Sequence, residues 1–208
     1  MKLPAFYPVL DTEMAIRCGV EPVAAAEQIL KAGARILQFR HKPFLSREAF
    51  GWLERIAELT HDAGAMLVVN DRADLAKLFG AALHLGQDDL TPAAARRVVG
   101  SDTVVGFSTH NESQVRAAAD EPADYLALGP LFGTATKENP DPTVGLADFR
   151  RLRTISNRPL VAIGGITRSN ARLAFEAGAD SVAVIGDLFP DDGNVGSRIQ
   201  EWLRLLSY

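Results

Sequence analysis

The chain has 208 residues, and 22 Lys and Arg residues against 26 Asp and Glu residues give it a formal charge of −4. This mild acidity gives no reason to expect a nucleic-acid or membrane surface, and 47% hydrophobic with 23% charged residues is typical of a globular protein. The single cysteine, Cys18, excludes an internal disulfide and a multi-cysteine metal site. No apolar run approaches the roughly 18 residues of a membrane span, so we expect a cytoplasmic protein with one domain over residues 1–208.

Eight short segments of the chain are predicted to be strands. Each is apolar almost throughout, which is typical of strands that are buried on both faces of a parallel sheet. In chain order they are Phe6–Asp11, Ile36–Arg40, Met66–Asn70, Ala82–Leu85, Val104–Ser108, Tyr125–Leu128, Leu160–Ile163 and Ser181–Ile185.

Segments with a helical period lie between these strands. Ser46–Ala63 begins at an N-cap serine, and Thr91-Pro92 combines an N-cap with a proline at the first helical position. Further predicted helices are Asn111–Ala119, Ser169–Glu176 and Val195–Leu206. Glycine ends a helical stretch just before a strand at Gly33, Gly64, Gly80 and Gly178, where a left-handed residue is expected.

The alternation of about eight strands with helices favours a single (β/α)8 TIM barrel. A doubly wound open sheet is the alternative that the same alternation leaves open. One long connection, from Gly129 to Gly145, is expected to be a functional lid rather than a floppy insertion. In a barrel the active site lies at the carboxyl ends of the strands, so the residues that follow each strand are the candidates for function.

Cations follow the second predicted strand. Gln38 and Arg40 share one face of that strand, and Lys42 is next in line if the chain stays extended. An apolar strand that ends in two cations needs an anionic partner, so we expect an anion-binding site here. A surface ion pair with Glu48 is the alternative.

Carboxylates follow the next two strands. Asp71, with one of Asp88 and Asp89, forms a candidate magnesium site, because Mg²⁺ is held by one or two carboxylates together with waters and phosphate oxygens. Helix capping by Asp71 and Asp89 explains the same spacing equally well. His84 is expected to be a hydrogen-bonded structural residue, and His110 is expected to lie on the surface.

Groups suited to phosphate follow the later strands. The loop segment Thr134-Ala135-Thr136-Lys137 offers hydroxyls, amides and an ammonium group, and Gly164-Gly165 and Gly186 let backbone amides approach a ligand. Ser108 either donates to a substrate or caps a helix. No nucleophile-elbow motif accompanies it, so a catalytic triad is not favoured.

The motifs, taken in order, resemble those of the thiamine-phosphate synthase (thiamine-phosphate pyrophosphorylase) family, whose members are (β/α)8 barrels. The series comprises Gln38-Phe39-Arg40-His41-Lys42, Asn70-Asp71-Arg72, His84 to Asp89, Tyr125 to Pro130, Thr134 to Lys137 and Ala162 to Ile166. The resemblance implies condensation of 4-amino-5-hydroxymethyl-2-methylpyrimidine diphosphate with a thiazole phosphate. Thiamine phosphate and pyrophosphate would be the products.

The resemblance also implies a role for each matching residue. The pyrimidine diphosphate would be held by Gln38, Phe39, Arg40, His41, Lys42, Asn70, Ser108 and Lys137. The thiazole phosphate would be held by Thr134, Ala135, Thr136, Gly165, Ile185 and Gly186. Asp71 and Asp89 match the ligands of Mg²⁺. In the dissociative substitution that the resemblance implies, Arg40, Lys42 and Lys137 would stabilise the departing pyrophosphate, and no nucleophilic side chain is needed.

The chain departs from the family pattern at three places. His41 stands where Glu is often found, and Gly186 stands where Ser is common, so a hydroxyl contact to phosphate is lost. The first strand ends in Leu10-Asp11-Thr12-Glu13 and lacks the Thr-Asp-Arg often seen there.

Three other functions stay open at this point. A thiazole tautomerase on the same barrel would have a catalytic His at the position of Pro130 and would tend to lose the metal carboxylates. A non-catalytic phosphate-binding barrel, or a phosphate-handling barrel of tryptophan or histidine biosynthesis, is also compatible with the glycine turns. The expected partners are small-molecule substrates without nucleic acid or membrane, and a homo-oligomer is left open.

Overall fold

The computed structural model describes residues 2–133, 141–190 and 192–206 and forms a closed barrel of eight parallel strands. Each strand pairs with the next along the chain, and the last pairs with the first. The predicted (β/α)8 fold is confirmed, and the open doubly wound sheet is excluded because no strand within the barrel has a free edge.

The strands lie close to their predicted positions. They are β1 Phe6–Asp11, β2 Ile36–Arg40, β3 Met66–Asn70, β4 Ala82–Leu85, β5 Val105–Thr109, β6 Tyr125–Leu128, β7 Leu160–Ile163 and β8 Ser181–Val184. Strand β5 lies one residue later than predicted, because its pairing with β6 runs from Gly106 to Thr109. Strand β8 ends one residue earlier, because the chain turns at Ile185 into a short 3-10 helix over Gly186–Leu188.

Helices follow the strands around the outside of the barrel. They are α1 Thr12–Arg17, α2 Pro22–Lys31, α3 Arg47–Asp62, α4 Ala73–Leu78, α5 Pro92–Val99, α6 Glu112–Ala117, α7 Gly145–Arg153, α8 Ala171–Glu176 and α9 Val195–Leu205. The predicted caps are confirmed, since the side chains of Ser46 and Thr91 accept hydrogen bonds from Ala49 N and Ala94 N. The four helix-ending glycines have φ angles of 108, 59, 60 and 102°, as left-handed stops require. Among the described helices, none has the length and apolarity to cross a membrane.

Strand alternation divides the apolar residues into two layers. A large layer between strands and helices includes Leu10, Leu37 and Leu83, whereas a small layer inside the barrel includes Val9, Ile36 and Val68. Two tyrosines, Tyr7 and Tyr125, also belong to the inner layer and are almost completely buried. The barrel interior is therefore partly polar.

The last helix, α9, packs beside α2 in the outer apolar layer. Trp202 of α9 is fully buried and stacks on Phe6, at the start of β1, with ring centroids 5.3 Å apart. Its indole Nε1 is buried without a hydrogen-bond partner among the described residues. The contribution of Trp202 therefore comes from packing and buried apolar area.

Replacement of Trp202 should separate packing from hydrogen bonding. We expect Trp202→Ala to lower the free energy of unfolding by about 3–5 kcal/mol, because it leaves a cavity against Phe6. Trp202→Phe keeps the aromatic stack and should cost only about 1–2 kcal/mol. Urea unfolding followed by far-UV circular dichroism measures both, and equal losses would contradict a packing role.

Candidate active site

The cation at the end of β2 is paired within the barrel wall. Strand β1 lies beside β2 with Asp11 opposite Arg40, and the Arg40 guanidinium donates a hydrogen bond to the Asp11 carboxylate. Asp11 also accepts from Met14 N at 2.9 Å, so it caps α1 at the same time. The alternative pair of Arg40 with Glu48 is not what the structure shows. Arg40 has five N–H donors, so donors remain for a ligand.

The second cation meets the first metal-site candidate. Lys42 Nζ lies 2.5 Å from Asp71 Oδ2 across the gap between the β2 and β3 loops. Asp71 has a φ angle of 64°, a left-handed conformation that Asp and Asn adopt more readily than most residues. Its backbone N–H donates to the carbonyl of His84 at 2.8 Å. This turn aims the Asp71 side chain toward the end of β4.

The two predicted metal carboxylates lie together. Asp89 lies within hydrogen-bonding distance of Asp71 and also accepts from Gly86 N at 2.7 Å. Burial and the neighbouring Asp71 carboxylate raise the pKa of Asp89. Neither carboxylate caps a helix, because α4 begins after Arg72 without a side-chain cap and α5 is capped by Thr91. The capping alternative is therefore excluded.

A divalent cation fits the chemistry of this pair. Within residues 2–133, 141–190 and 192–206 no three His, Cys, Asp or Glu side chains cluster as a set of metal ligands. Two oxygen ligands suit Mg²⁺, which keeps several waters and takes substrate phosphate oxygens, rather than a metal that requires a full protein cage. Burial is the largest cause of the raised pKa of Asp89, and the neighbouring Asp71 carboxylate adds to it, so a cation between the two carboxylates would favour their charged forms.

Side chains below the rim form a continuous hydrogen-bonded chain inside the barrel. Gln38 Nε2 donates to Tyr7 Oη at 2.9 Å, and Tyr7 Oη lies 2.9 Å from Tyr125 Oη. Tyr125 Oη lies 3.0 Å from His84 Nδ1, and His84 Nε2 lies 2.9 Å from Ser108 Oγ. The expectation that His84 is a hydrogen-bonded structural residue is confirmed. Ser108 does not cap α6, because that helix is capped by Asn111.

Two residues of the predicted pyrimidine site point away from the barrel interior. The side chain of Phe39 packs in the outer apolar layer, and the His41 ring lies between Phe39 and Trp52 with Nδ1 2.7 Å from Thr12 Oγ1. By contrast, strand parity puts Asn70 on the inner face beside Gln38 and Arg40. The side chains of Phe39 and His41 therefore lie outside the predicted pyrimidine site.

Two cavities lie at opposite ends of the barrel. One of about 280 Å³ adjoins the rim and is lined by Phe39, His41, Lys42, Asn70 and Asp71, among others. A larger cleft of about 600 Å³ lies near the starts of β3 and β4 and contains none of the predicted site residues. The smaller cavity includes Lys42, Asn70 and Asp71 of the predicted site and lies at the end of the barrel where active sites of this fold are found.

The glycines that the sequence predicts to bind phosphate lie in the turns after β7 and β8. Gly165 has a φ angle of 64°, and a Cβ there would lie 2.4 Å from the carbonyl oxygen of Gly133. Only glycine fits this approach, so the β7 turn is packed against the start of the long β6 loop. Ile185 and Gly186 begin the short 3-10 helix after β8. The predicted residues Thr134, Ala135, Thr136 and Lys137 lie outside the described residues.

Three residues near the site were not predicted to have a role in it. Asp11 fixes Arg40, and Tyr7 and Tyr125 join Gln38 to His84. The signal for the tyrosines was present, since a polar ring in a fully apolar strand needs a partner when it is buried. A second signal was Gly106, whose Cβ would lie 2.1 Å from Tyr125 Cζ. Only a residue without a side chain leaves room for that ring.

Comparison with known proteins gives one consistent result. A family model described as thiamine monophosphate synthase matches residues 6–188. A thiamine-phosphate synthase of Koribacter versatilis is 43% identical over 99% of this chain and 97% of its own, and one of Caldicellulosiruptor saccharolyticus is 38% identical over 89% and 82%. A solved thiamine phosphate pyrophosphorylase from Pyrococcus furiosus superposes with a TM-score of 0.84 at 27% identity, covering 97% of this chain and 95% of that one.

Burial of His84 should make stability depend on pH. Burial lowers the pKa of His84 from its ordinary value of 6.5 to about 4, an effect that Asp89 partly opposes and Lys42 adds to. Between these two values the unfolded chain binds a proton that the folded chain does not, so stability is full above pH 6.5 and is lost toward pH 4. At pH 5 the loss should reach about 2 kcal/mol.

The measurement is urea unfolding at pH 7.5 and pH 5 for the parent chain and His84→Asn, which cannot titrate in this range. The variant should lose less stability than the parent over the same interval, by about 2 kcal/mol. Parallel losses in both proteins would contradict a buried neutral His84.

Proposed function

The chain belongs to the thiamine monophosphate synthase family, and we propose that it joins 4-amino-5-hydroxymethyl-2-methylpyrimidine diphosphate to a thiazole phosphate with Mg²⁺ bound at Asp71 and Asp89. It is thus a transferase of thiamine biosynthesis. The observation that carries this function is the family match over residues 6–188, together with 43% identity across nearly the whole of a curated thiamine-phosphate synthase. The substrates are small molecules. A cytoplasmic location stays a prediction, and a homo-oligomer stays open.

The proposed reaction is a substitution in which the C–O bond to the diphosphate breaks first. The electrons of that bond leave with pyrophosphate, and the aminopyrimidine ring carries the positive charge that develops on its methylene carbon. The thiazole nitrogen then donates its electron pair to that carbon. Thiamine phosphate and pyrophosphate are the products, and no side chain has to form a covalent bond.

In this reaction the protein has to stabilise chiefly the negative charge that develops on the leaving pyrophosphate. Arg40 and Lys42 lie at the rim where the diphosphate would be held, and Lys137 in the β6 loop is proposed to complete this set. Bound Mg²⁺ would supply Lewis-acid stabilisation of the same oxygens. Because Asp11 already holds Arg40 in place, the guanidinium group does not have to be ordered by the substrate.

The thiazole phosphate is proposed to bind across the β6, β7 and β8 loops. Backbone amides at Gly165 and Gly186, with Ile185 beside them, would meet phosphate oxygens in the manner of other phosphate sites at this face of the barrel. Thr134, Ala135 and Thr136 are proposed to close the site from the β6 loop. Gly165 packs directly on Gly133, which precedes that segment, so the two loops are positioned by one contact.

The decisive experiment mixes both substrates with the protein, with and without Mg²⁺, and measures thiamine phosphate and pyrophosphate. Formation of both products only with Mg²⁺ supports the proposal. Isomerisation of a carboxylated thiazole phosphate without pyrophosphate release would indicate a tautomerase. Binding of phosphate esters with no turnover would indicate a non-catalytic barrel, and turnover of another phosphorylated substrate would indicate a different enzyme.

Asparagine substitutions should identify the metal ligands. We expect Asp71→Asn and Asp89→Asn to lower kcat by roughly 10²–10³, by analogy with loss of a transition-state contact, and to raise the Mg²⁺ concentration needed for half-maximal rate. Asn tolerates the left-handed conformation at position 71, so the backbone turn should persist. The measurement is a Mg²⁺ titration of the rate, with Mg²⁺ binding followed by calorimetry.

Asp88→Asn is the matched control, because it removes the same charge from an exposed neighbour of Asp89. It should leave the Mg²⁺ titration within about twofold of the parent, as exposed charges contribute little. If the Asp88 variant loses metal dependence and the Asp89 variant does not, the second ligand has been assigned to the wrong residue.

A methyl group on Gly165 should disturb the thiazole site. Gly165→Ala introduces strain at a positive φ angle and a clash with the Gly133 carbonyl, so we expect KM for thiazole phosphate to rise about tenfold. KM for the pyrimidine diphosphate should change much less. Gly133→Ala is the control, since a Cβ there meets no atom within 4 Å. Steady-state kinetics with each substrate varied in turn gives both constants, and equal effects of the two variants would exclude this contact as the cause.

A further inference from the structure

The hydrogen-bonded chain inside the barrel runs between two residues of the predicted pyrimidine site. Its ends are Gln38 and Ser108, and its middle consists of Tyr7, Tyr125 and His84. The five residues come from five different strands, so the chain crosses the barrel rather than following one wall. The middle three are almost completely buried, and the diphosphate chemistry proposed above makes no use of them.

The number of hydrogens on each group gives the hydrogen-bonded chain a donor-to-acceptor direction. Gln38 Nε2 has only hydrogens to offer, so Tyr7 Oη accepts there and must place its own hydrogen elsewhere. The other polar atom that the described residues place within reach of Tyr7 Oη is Tyr125 Oη, so Tyr7 donates to Tyr125. In the same way Tyr125 donates to His84 Nδ1, which leaves Nε2 as the protonated nitrogen of a neutral ring. His84 Nε2–H then donates to Ser108 Oγ.

The opposite direction is less favourable with Gln38 in its present orientation. If Tyr125 donated to Tyr7, Tyr7 Oη would accept two hydrogen bonds. Its own hydrogen would then be buried with no acceptor among the described residues. A buried donor left unsatisfied is costly, because it has given up its hydrogen bonds to water. The orientation of the Gln38 amide on β2 therefore decides the direction of the hydrogen bonds as far as Ser108 on β5.

We propose that Tyr7, Tyr125 and His84 are positioning residues that fix the hydroxyl hydrogen of Ser108 toward the ligand and the amide oxygen of Gln38 toward the ligand. Ser108 accepts from His84, so its single hydrogen is free to donate to an anionic oxygen. Gln38 gives one N–H to Tyr7, so its Oε1 is free to accept from an amino group. This pairing of a donor end and an acceptor end rests on the proposed function, in which one substrate carries both a diphosphate and an aminopyrimidine.

The tautomer of His84 tests the direction without any substrate. A long-range ¹H–¹⁵N spectrum of the ¹⁵N-histidine-labelled chain at pH 7.5 should show His84 with Nε2 protonated and Nδ1 unprotonated. The chain has 4 histidines, and His84→Asn identifies the signal. Tyr7→Phe should keep this tautomer, because Tyr125 still donates to Nδ1, whereas Tyr125→Phe should change it. An Nδ1-protonated ring, or a mixture of tautomers in the parent, would overturn the proposed direction.

Steady-state kinetics test whether the hydrogen-bonded chain affects catalysis through Ser108. Tyr125→Phe should lower kcat about tenfold, as losses of residues that orient a ligand-contacting group do. In a Ser108→Ala background the same change should have less than about a twofold effect, because the group that it orients is gone. Effects that multiply in the double variant would show that Tyr125 does not work through Ser108.

Trp202→Phe serves as the control for lost stability, since Trp202 packs in the outer apolar layer and has no hydrogen-bond partner among the described residues. It should leave the His84 tautomer and kcat unchanged even where its unfolding midpoint falls as far as that of Tyr125→Phe. A tautomer that agrees with the proposal in a protein that makes no thiamine phosphate would leave the positioning intact and refute the proposed function. An enzyme that makes thiamine phosphate but has His84 protonated at Nδ1 would refute the positioning and support the proposed function.

Discussion

In a closed parallel barrel every strand is hydrogen-bonded on both sides, and all eight carboxyl ends meet at one rim. This closure decides where each polar group of the chain can lie. Asp11 and Arg40 are 29 residues apart in sequence, and so are Lys42 and Asp71, yet each pair forms an ion pair at neighbouring strand ends. The candidate site is thus a product of register, because a shift of one residue in any strand would turn its rim side chain into the helix layer.

The interior below that rim imposes a second condition, since a polar atom there has no bulk water to bond. Tyr7 and Tyr125 meet this condition by bonding each other and by reaching Gln38 and His84. Their rings also fill the space that apolar side chains fill elsewhere in the barrel. Gly106 belongs to the same arrangement, because the Tyr125 ring occupies the volume that a side chain on β5 would need. Packing and hydrogen bonding therefore constrain the same few positions.

Much of this arrangement could be predicted from local pattern. Six of the eight strands have their predicted bounds, because short apolar runs between glycine stops have few other interpretations, and the adjacency of Asp71 and Asp89 follows from the order of β3 and β4. Contacts that depend on shape were not predictable in the same way. The pair of Asp11 with Arg40 needs the β1–β2 register. Strand alternation predicts the outward position of His41, but no sequence spacing reveals its contacts with Thr12 and Trp52.

The ion pairs already present in the site affect how strongly it would bind a diphosphate and a metal ion. Arg40 and Lys42 are each compensated by a carboxylate before any anion arrives, whereas Asp89 shares its surroundings with a second carboxylate and has a raised pKa. Under the proposed function a diphosphate would compete with Asp71 for Lys42, and a cation bound at Asp71 would weaken that competition. Metal and diphosphate are expected to favour each other's binding for this reason, because each satisfies the charge that the other displaces.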